Sequence, residues 1–186
     1  MKLHIIGAGG HAKVVIDSIG ENKYSEIYFY DDKFPKIKKI YNFNIVGKPI
    51  DLPEDKNDLY FVAIGDNNAR KKISDELLLK NLTLDIIINN TSLVSKKAKI
   101  LSGTFVGPRA IINSGALIER GCIINTAAII EHDCKIRQFV HIAPRAVLGG
   151  NVLVNELSLV GLGTIILPNV NINKNSIVKA GSLIKK

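Results

Sequence analysis

Residues 110–148 read AIINSG ALIERG CIINTA AIIEHD CKIRQF VHIAPR AVL, with an aliphatic residue in the third position of every block of six. The pattern continues in both directions, and every sixth residue from Ile88 to Ile184 is Ile, Val or Leu. Two positions before each aliphatic residue, from Ser92 to Ser182, stands Ala, Ser, Thr, Cys or Val. A short repeat of fixed period is typical of a solenoid. The second part of the chain is therefore predicted to be a parallel β-helix of hexapeptide repeats.

Hexapeptide repeats predict three short strands in each coil, joined by sharp turns, so that residues eighteen apart become parallel neighbours. The aliphatic residue and the small residue two before it point inward, because side chains alternate along a strand. Large and small side chains then fill a narrow triangular core. At the corners, Asn113, Gly149, Asn155 and Gly161 are expected to adopt turn conformations that most residues avoid.

The residue just before each inward aliphatic position points outward. Outward residues that are eighteen positions apart lie on the same side of successive coils, so they fall into three faces. Two faces are apolar and the third is mixed. The faces read Ile111, Ile129, Val147, Ile165, Leu183; then Ile123, His141, Leu159, Ile177; and last Leu117, Lys135, Leu153, Asn171. A closed three-fold ring covers two different faces of each subunit, which predicts a homotrimer. The alternative is that strand propensity alone fills these positions.

Residues 1–87 lack the repeat and alternate strand with helix, which predicts a separate Rossmann-like α/β domain before a β-helix domain over 88–186. The strands are expected at KLHII, EIYFY and LYFVAIG, and the helices at AKVVIDSI and over residues 67–80. About 85 residues hold little more than one half of a dinucleotide fold. A mononucleotide or nucleotide sugar is therefore favoured over NAD, although an NAD(P)-binding enzyme or sensor stays open.

A glycine turn follows the first strand, with the pattern Gly7-x-Gly9-x-x-Ala12, and Asp31 and Asp32 follow the second strand. This spacing suits a phosphate at a helix N-terminus and a carboxylate on a ribose. The alternative is that the glycines serve only the tight turn from strand to helix.

The formal net charge is +8, and all of the excess lies in residues 89–186, because residues 1–88 hold equal numbers of basic and acidic side chains. The basic part has few aromatic residues, so the phosphates of a coenzyme are a better candidate partner than nucleic acid. The chain contains no apolar run long enough for a membrane span and no signal peptide, and we expect a cytoplasmic protein. Cys and His spacing predicts no metal site.

His132 lies between Glu131 and Asp133 in an otherwise aliphatic segment. A carboxylate can orient a histidine in one tautomer and raise its basicity, as a general base requires. The alternative is a surface histidine at a turn. Cys122 and Cys134 occupy inward positions, which predicts buried, inert thiols and favours direct transfer over a covalent acetyl-cysteine.

Five segments of the chain carry a specific resemblance: IIGAGGHAKVV (5–15), YDD (30–32), VAIGDNNARKKI (62–73), IIEHDCKI (129–136) and HIAPRAVLGG (141–150). With them, the chain resembles the NeuD/PglD-like family of bacterial sugar acetyltransferases. This family comprises sialic-acid O-acetyltransferases and UDP-4-amino-sugar N-acetyltransferases. The resemblance implies a left-handed β-helix trimer that binds acetyl-CoA between subunits, without a metal, and an N-terminal domain that holds the nucleotide sugar.

The resemblance also implies roles for individual residues. His132 would be the base and Asp133 its partner, while coenzyme contacts would come from His141, Gly161, Leu162, Ala180 and Gly181. The nucleotide sugar would face Gly9, Gly10, His11, Asp31, Asp32 and Gly65. The expected activity is acetyl-CoA-dependent N-acetylation of a nucleotide-linked, UDP-type 4-amino sugar for surface glycans. O-acetylation of a sialic-acid-like sugar and a non-catalytic trimeric binding protein remain the alternatives.

Overall fold

The computed structural model describes residues 1–20 and 23–185 and divides the chain into two compact units, Met1–Asp85 and Ile86–Lys186. The first unit contains β1 (Leu3–Ile6), α1 (Gly10–Ser18), β2 (Ile27–Tyr30), β3 (Lys39–Ile40), β4 (Phe43–Gly47), a 3-10 turn (Pro49–Asp51), β5 (Leu59–Val62), α2 (Asn67–Leu79) and β6 (Thr83–Leu84). Its sheet has the order β3-β4-β2-β1-β5-β6, with β3 and β4 antiparallel and the other pairs parallel.

Strand β1 lies at the centre of this sheet, where Leu3 pairs with Ile27 on one side and Leu59 on the other. All four of its residues are buried, as expected for a parallel strand covered on both faces. The predicted strands and helices of this unit are present within a few residues. Strands β3 and β6 were not predicted, because each has only two residues and carries no periodic signal, and the five-residue strand β4 was not predicted either.

The turn between β1 and α1 depends on one glycine. Gly7 has a φ of 102°, and a Cβ there would lie 2.9 Å from Ile64 Cγ1 and 3.0 Å from the carbonyl oxygen of Ala63. Both the backbone conformation and the close approach of the β5 end therefore require glycine. At the start of α2, the Asp66 side chain accepts a hydrogen bond from the N–H of Ala69 at 2.8 Å, which caps the helix.

The second unit is a left-handed parallel β-helix. Its two-residue strands form three parallel sheets that run the length of the helix. Sheet I contains β7 (Ile87–Ile88), β10 (Phe105–Val106), β13 (Ile123–Ile124), β16 (His141–Ile142), β19 (Leu159–Val160) and β22 (Ile177–Val178). Sheet II contains β8 (Leu93–Val94), β11 (Ile111–Ile112), β14 (Ile129–Ile130), β17 (Val147–Leu148), β20 (Ile165–Ile166) and β23 (Leu183–Ile184). Sheet III contains β9 (Lys99–Ile100), β12 (Leu117–Ile118), β15 (Lys135–Ile136), β18 (Leu153–Val154) and β21 (Asn171–Ile172).

Residues eighteen apart pair in register, as in Ile112 with Ile130, so each coil stacks on the one before it. The inward aliphatic and small residues form one continuous core, in which the thiols of Cys122 and Cys134 are fully buried. Some of the inward small residues are polar, and their hydroxyl groups form hydrogen bonds within the core. The hydroxyls of Ser158 and Thr164 donate to carbonyl oxygens fifteen residues later, at 2.7 and 3.1 Å.

The prediction of which corner residues adopt unusual backbone conformations was wrong. Asn113, Gly149, Asn155 and Gly161 do not have positive φ angles. Every sixth residue from 103 to 181 does: Gly103, Arg109, Gly115, Gly121, Ala127, Asp133, Phe139, Arg145, Asn151, Leu157, Gly163, Asn169, Asn175 and Gly181. Glycine at 149 and 161 has a different cause, because a Cβ would lie 2.8 Å from Pro168 N and 2.6 Å from Ala180 N, respectively. These two glycines allow neighbouring coils to approach each other.

The outward faces of sheets I and II are apolar, as predicted, but not uniformly accessible. Ile165 and Leu183 on sheet II are 48% and 53% exposed, and Ile177 on sheet I is 76% exposed. Ile123, on the same face as Ile177, is buried within the chain. On sheet II, Leu93 of the first coil is also 67% exposed, so the exposed apolar residues lie toward the two ends of this face.

Candidate functional site

The first unit contains a cavity of about 300 Å³ at the carboxyl ends of β1, β2 and β5. Open α/β sheets bind ligands at this edge, where loops follow the strands. All six residues that were predicted to bind the substrate line this cavity: Gly9, Gly10, His11, Asp31, Asp32 and Gly65. The structure thus brings together residues from three separate loops.

The floor of the cavity is the N-terminus of α1. Gly9 is the N-cap residue of the helix and has no side chain that could cap the first turn. A Cβ at Gly9, Gly10 or Gly65 would meet nothing within 4 Å, so each of these glycines borders open space. A phosphate can therefore reach the first N–H groups of the helix, whose dipole favours negative charge.

The two aspartates on the cavity rim differ in their surroundings. The carboxylate of Asp31 accepts hydrogen bonds from the N–H of Ala8 at 2.8 Å and from the N–H of Lys33 at 2.9 Å. It thereby ties the glycine turn to the segment that follows β2. Asp32 is exposed beside Lys33 at the same rim. Asp31 therefore shapes the loop, whereas Asp32 is the aspartate of the rim that is exposed.

Arg70 is a residue of this region that the sequence did not single out. It lies on α2, is 1% exposed, and donates to the carbonyl oxygens of Ile64 and Gly65 at 3.0 Å each and to Asn67 Oδ1 at 2.7 Å. These contacts fix the loop after β5 that borders the cavity. A basic residue in a polar helix usually faces water, so no local pattern of residues indicates this role.

In the second unit, His132 and Asp133 lie in the turn between β14 and β15. His132 Nδ1 and Asp133 Oδ2 are 2.9 Å apart, and both side chains are 59% exposed. When Nδ1–H donates to this carboxylate, the Nε2 lone pair is available to accept a proton. The partner carboxylate is that of Asp133, whose left-handed backbone (φ 60°) turns it toward the ring. This pair can act as an oriented general base.

The thiol next to this pair is not suited to nucleophilic attack. Cys134 points into the core, and burial raises its pKa to about 11. Its thiol contacts the carbonyl oxygen of Gly149 at 3.2 Å. Because the thiolate is the reactive form, this cysteine is inert near neutral pH.

The residues predicted to contact the coenzyme lie on sheet I and on the corner between sheets I and II. His141 projects from β16, where its Nε2 is 3.1 Å from Asn125 Nδ2. Gly161 and Leu162 lie one coil below Ala180 and Gly181, and the N–H of Gly181 donates to the carbonyl oxygen of Leu162 at 2.8 Å. The structure therefore stacks these four residues in one column.

A groove of about 390 Å³ adjoins this column. It combines apolar side chains with one guanidinium, and its lining consists of Pro144, Arg145, Val147, Leu162, Gly163 and Ile165. An apolar channel with a cationic group suits a long molecule that carries phosphates.

His132 and His141 are not brought together within one copy of the chain. His132 lies at the corner between sheets II and III, whereas His141 lies on sheet I, the opposite side of the triangle. One copy therefore cannot present both histidines to one thioester. Among residues 1–20 and 23–185, no three His, Cys, Asp or Glu side chains are grouped to hold a metal. None of the helices described in this chain is long and apolar enough to span a membrane.

Comparison with known proteins gives consistent matches. The family described as PglD N-terminal domain matches residues 2–77. The acetyltransferase domain of PglB from Neisseria gonorrhoeae, in complex with acetyl coenzyme A, is 32% identical over 99% of this chain and 90% of that chain, with a TM-score of 0.93. PerB from Caulobacter crescentus, in complex with CoA and GDP-perosamine, is 31% identical over 100% of this chain and 90% of that chain, with a TM-score of 0.92.

A curated relative is the UDP-N-acetylbacillosamine N-acetyltransferase of Bacillus subtilis, which is 37% identical over 110 residues. This alignment covers 55% of this chain and 49% of the relative. The chain thus spans about half the length of this protein, and 21% of the length of another curated relative that it matches.

Proposed function

We propose, because this chain belongs to the NeuD/PglD-like family of sugar acetyltransferases, that it transfers the acetyl group of acetyl-CoA to the amine of a nucleotide-linked amino sugar. The proposal rests on the His132–Asp133 pair, in which Nδ1 and Oδ2 are 2.9 Å apart. The pair lies in a fold that matches coenzyme-bound acetyltransferases over nearly the whole chain.

The mechanism follows from the two groups of the pair. His132 Nε2 takes a proton from the acceptor amine as its nitrogen attacks the thioester carbonyl, and Asp133 holds the ring in the tautomer that leaves Nε2 free to accept. A backbone N–H stabilises the negative oxygen of the tetrahedral intermediate. The intermediate then expels the CoA sulfur, which takes the proton from the His132 imidazolium and leaves as the thiol. No thiol of the protein takes part, in keeping with the buried state of Cys122 and Cys134.

The nucleotide is assigned to the cavity of the first unit. The first turn of α1 receives the diphosphate beside Gly9 and Gly10, and Asp32 meets polar groups of the nucleoside. His11 and Gly65 complete the lining, and Asp31 maintains the turn. On this proposal residues 1–87 bind the nucleotide sugar and residues 88–186 carry out acetyl transfer.

The coenzyme site is assigned to a homotrimer. Because His132 and His141 lie on opposite sides of the β-helix, a site that uses both needs two copies. The apolar outward residues of sheets I and II supply the contact between copies, and Gly161, Leu162, Ala180 and Gly181 line the coenzyme's pantetheine arm. Acetyl-CoA and nucleotide sugars are both made in the cytoplasm, which is the proposed site of action.

The trimer has its own test. Ile129 projects outward from the middle of sheet II and is half-buried in the single chain. Ile129→Glu places a carboxylate in the proposed contact and should dissociate or precipitate the protein. Light scattering that finds the unmodified protein as a monomer contradicts the assignment.

The substrate is tested by CoA thiol release with acetyl-CoA and either a UDP-linked 4-amino sugar or GDP-perosamine as acceptor. The free amino sugar should be a poor acceptor, because it lacks the nucleotide contacts. Gly10→Asp adds negative charge in open space at the cavity and should raise the acceptor KM at least about tenfold without affecting acetyl-CoA binding. Gly10→Ala, which fits the same space, is the control.

If the free sugar reacts as well as its nucleotide form and Gly10→Asp changes neither rate, the cavity does not hold the nucleotide. Transfer to a hydroxyl of a sialic-acid-like sugar, with no transfer to amines, would make O-acetylation the function. Binding of acetyl-CoA without transfer to either acceptor would leave a non-catalytic protein.

A further inference from the structure

We infer that Gly150 and Gly115 are positioning residues for the His132–Asp133 pair, because the Cβ atoms that they lack would occupy the space of the imidazole and the carboxylate. This inference rests on the proposed function, in which His132 is the base. It adds two residues without reactive groups to the catalytic site: Gly150 on the coil after the pair and Gly115 on the coil before it.

Gly150 lies eighteen residues after His132, directly above it in the next coil. A Cβ at Gly150 would lie 2.5 Å from both Cε1 and Nε2 of His132 and 3.2 Å from its Cδ2. Distances under 3 Å between such atoms are not tolerated, so one of the two side chains must move. The coils cannot separate easily, because the N–H of Asn151 donates to the carbonyl oxygen of His132 at 3.0 Å. The imidazole is therefore the group that would be displaced.

The backbone gives no other reason for glycine at 150. Its φ is not positive, so a residue with a Cβ can adopt the same conformation. Its neighbour Gly149 is different, because a Cβ there would collide with the backbone nitrogen of Pro168. Of the Gly149–Gly150 pair, the first allows the coils to pack and the second leaves room for the histidine.

Gly115 lies eighteen residues before Asp133, directly below it. A Cβ there would fall well inside contact distance of Asp133 Oδ1, the oxygen that does not face the imidazole. The N–H of Asp133 donates to the carbonyl oxygen of Ser114 at 3.0 Å, which fixes the spacing of these coils. Gly115 also has a φ of 74°, so it is favoured for its conformation as well.

Together the two glycines form a slot that holds the pair from above and below. The edge of the ring that bears Nε2 faces Gly150, so a Cβ at 150 would lie beside the atom that accepts the proton. A methyl group at 150 would turn the ring away from Asp133 and crowd Nε2. Losses of this kind fall on the chemical step rather than on the remote contacts that bind the substrates.

The experiment uses Gly150→Ala in the full chain, with Gly20→Ala as the matched control. Gly20 also has an ordinary φ, and a Cβ there would meet nothing within 4 Å. Gly150→Ala should lower kcat at least about tenfold while the KM values for acetyl-CoA and the acceptor stay near those of the parent. In the His132→Ala background, where the ring is gone, Gly150→Ala should cause no further loss.

A readout without turnover separates this inference from the proposed function. The imidazole ¹⁵N signals of His132 report its tautomer, and Gly150→Ala should abolish the preference for a protonated Nδ1. Gly115→Asn, which retains a residue type found at the left-handed corners Asn169 and Asn175, should do the same. If both variants keep the parental ¹⁵N signals and the parental kcat, the inference is overturned. If the parent has no transferase activity but the signals change as expected, the proposed function fails and the positioning role stands.

Discussion

Replacing Asp133 by Asn tests the role of the carboxylate with little change in shape. Asp133 occupies a left-handed corner with a φ of 60°, a conformation that Asn accepts as readily as Asp, and Asn already fills this corner position at 151 and 169. The variant should therefore fold normally. What changes is the bond to His132, because an amide can donate to Nδ1 and so stabilise the tautomer that has its proton on Nε2.

The expected loss follows from the exposure of the pair. A hydrogen bond to a charged group contributes about 1.5–3 kcal/mol, and both side chains here are 59% exposed, which favours the lower end. A difference of about 1.4 kcal/mol corresponds to about tenfold in rate. We therefore expect Asp133→Asn to lower kcat by roughly tenfold. Water can move the proton between the two nitrogens of an exposed imidazole, so the required tautomer remains accessible. The fall in kcat should therefore stay well below that seen for a buried triad.

The assay is steady-state release of CoA thiol at varied concentrations of acetyl-CoA and of the nucleotide amino sugar. Glu131→Gln is the control, since it removes the neighbouring carboxylate, which is not the one bonded to His132. The kcat should fall only in Asp133→Asn, and the KM values should change little in either variant. A parental kcat in Asp133→Asn, or an equal loss in Glu131→Gln, would refute the assignment of Asp133 as the partner of the base.

Three further outcomes are expected. Cys134→Ala should keep substantial activity, and Cys134 in the folded parent should resist alkylation at pH 8, because burial raises its pKa to about 11. Arg70→Ala should weaken the binding of the nucleotide sugar more than that of acetyl-CoA by loosening the loop at Gly65, as titration calorimetry can check. A hydrogen bond from the N–H of Lys2, and next to it His4, lowers the pKa of Asp58. Asp58 should therefore stabilise the fold above about pH 4 and lose this effect as pH falls through its folded pKa, a dependence that Asp58→Asn should weaken in urea titrations.

The period of the β-helix could be predicted because its core repeats without interruption. Each inward position contacts its equivalents in the coils above and below, so a strict aliphatic and small pattern is the only one that packs. Which position of each repeat has a left-handed backbone could not be predicted in the same way. The left-handed position accepts residues as different as Arg109, Phe139 and Leu157, so residue identity does not mark it, whereas the glycines at 149 and 161 mark close packing.

The site shows a similar division. The glycine turn and the acids after β2 could be placed together from strand order alone, because parallel strands end at one edge of a sheet. No local sequence pattern encodes the hydrogen bond from the N–H of Ala8 to Asp31 or the burial of Arg70, because both depend on how the side chains pack. Gly150, however, stands one full repeat of eighteen after His132, and the stacking rule could have identified it.

On the proposed mechanism, His132 is the general base of an acetyltransferase. The most direct measurement is the rate of CoA thiol release with acetyl-CoA and a nucleotide-linked amino sugar, for the parent and for His132→Ala. The parent should form N-acetylated product, and His132→Ala should lower kcat by about 10²- to 10⁴-fold with acetyl-CoA affinity and oligomeric state unchanged. Near-parental turnover in His132→Ala would contradict the role of His132 as the base.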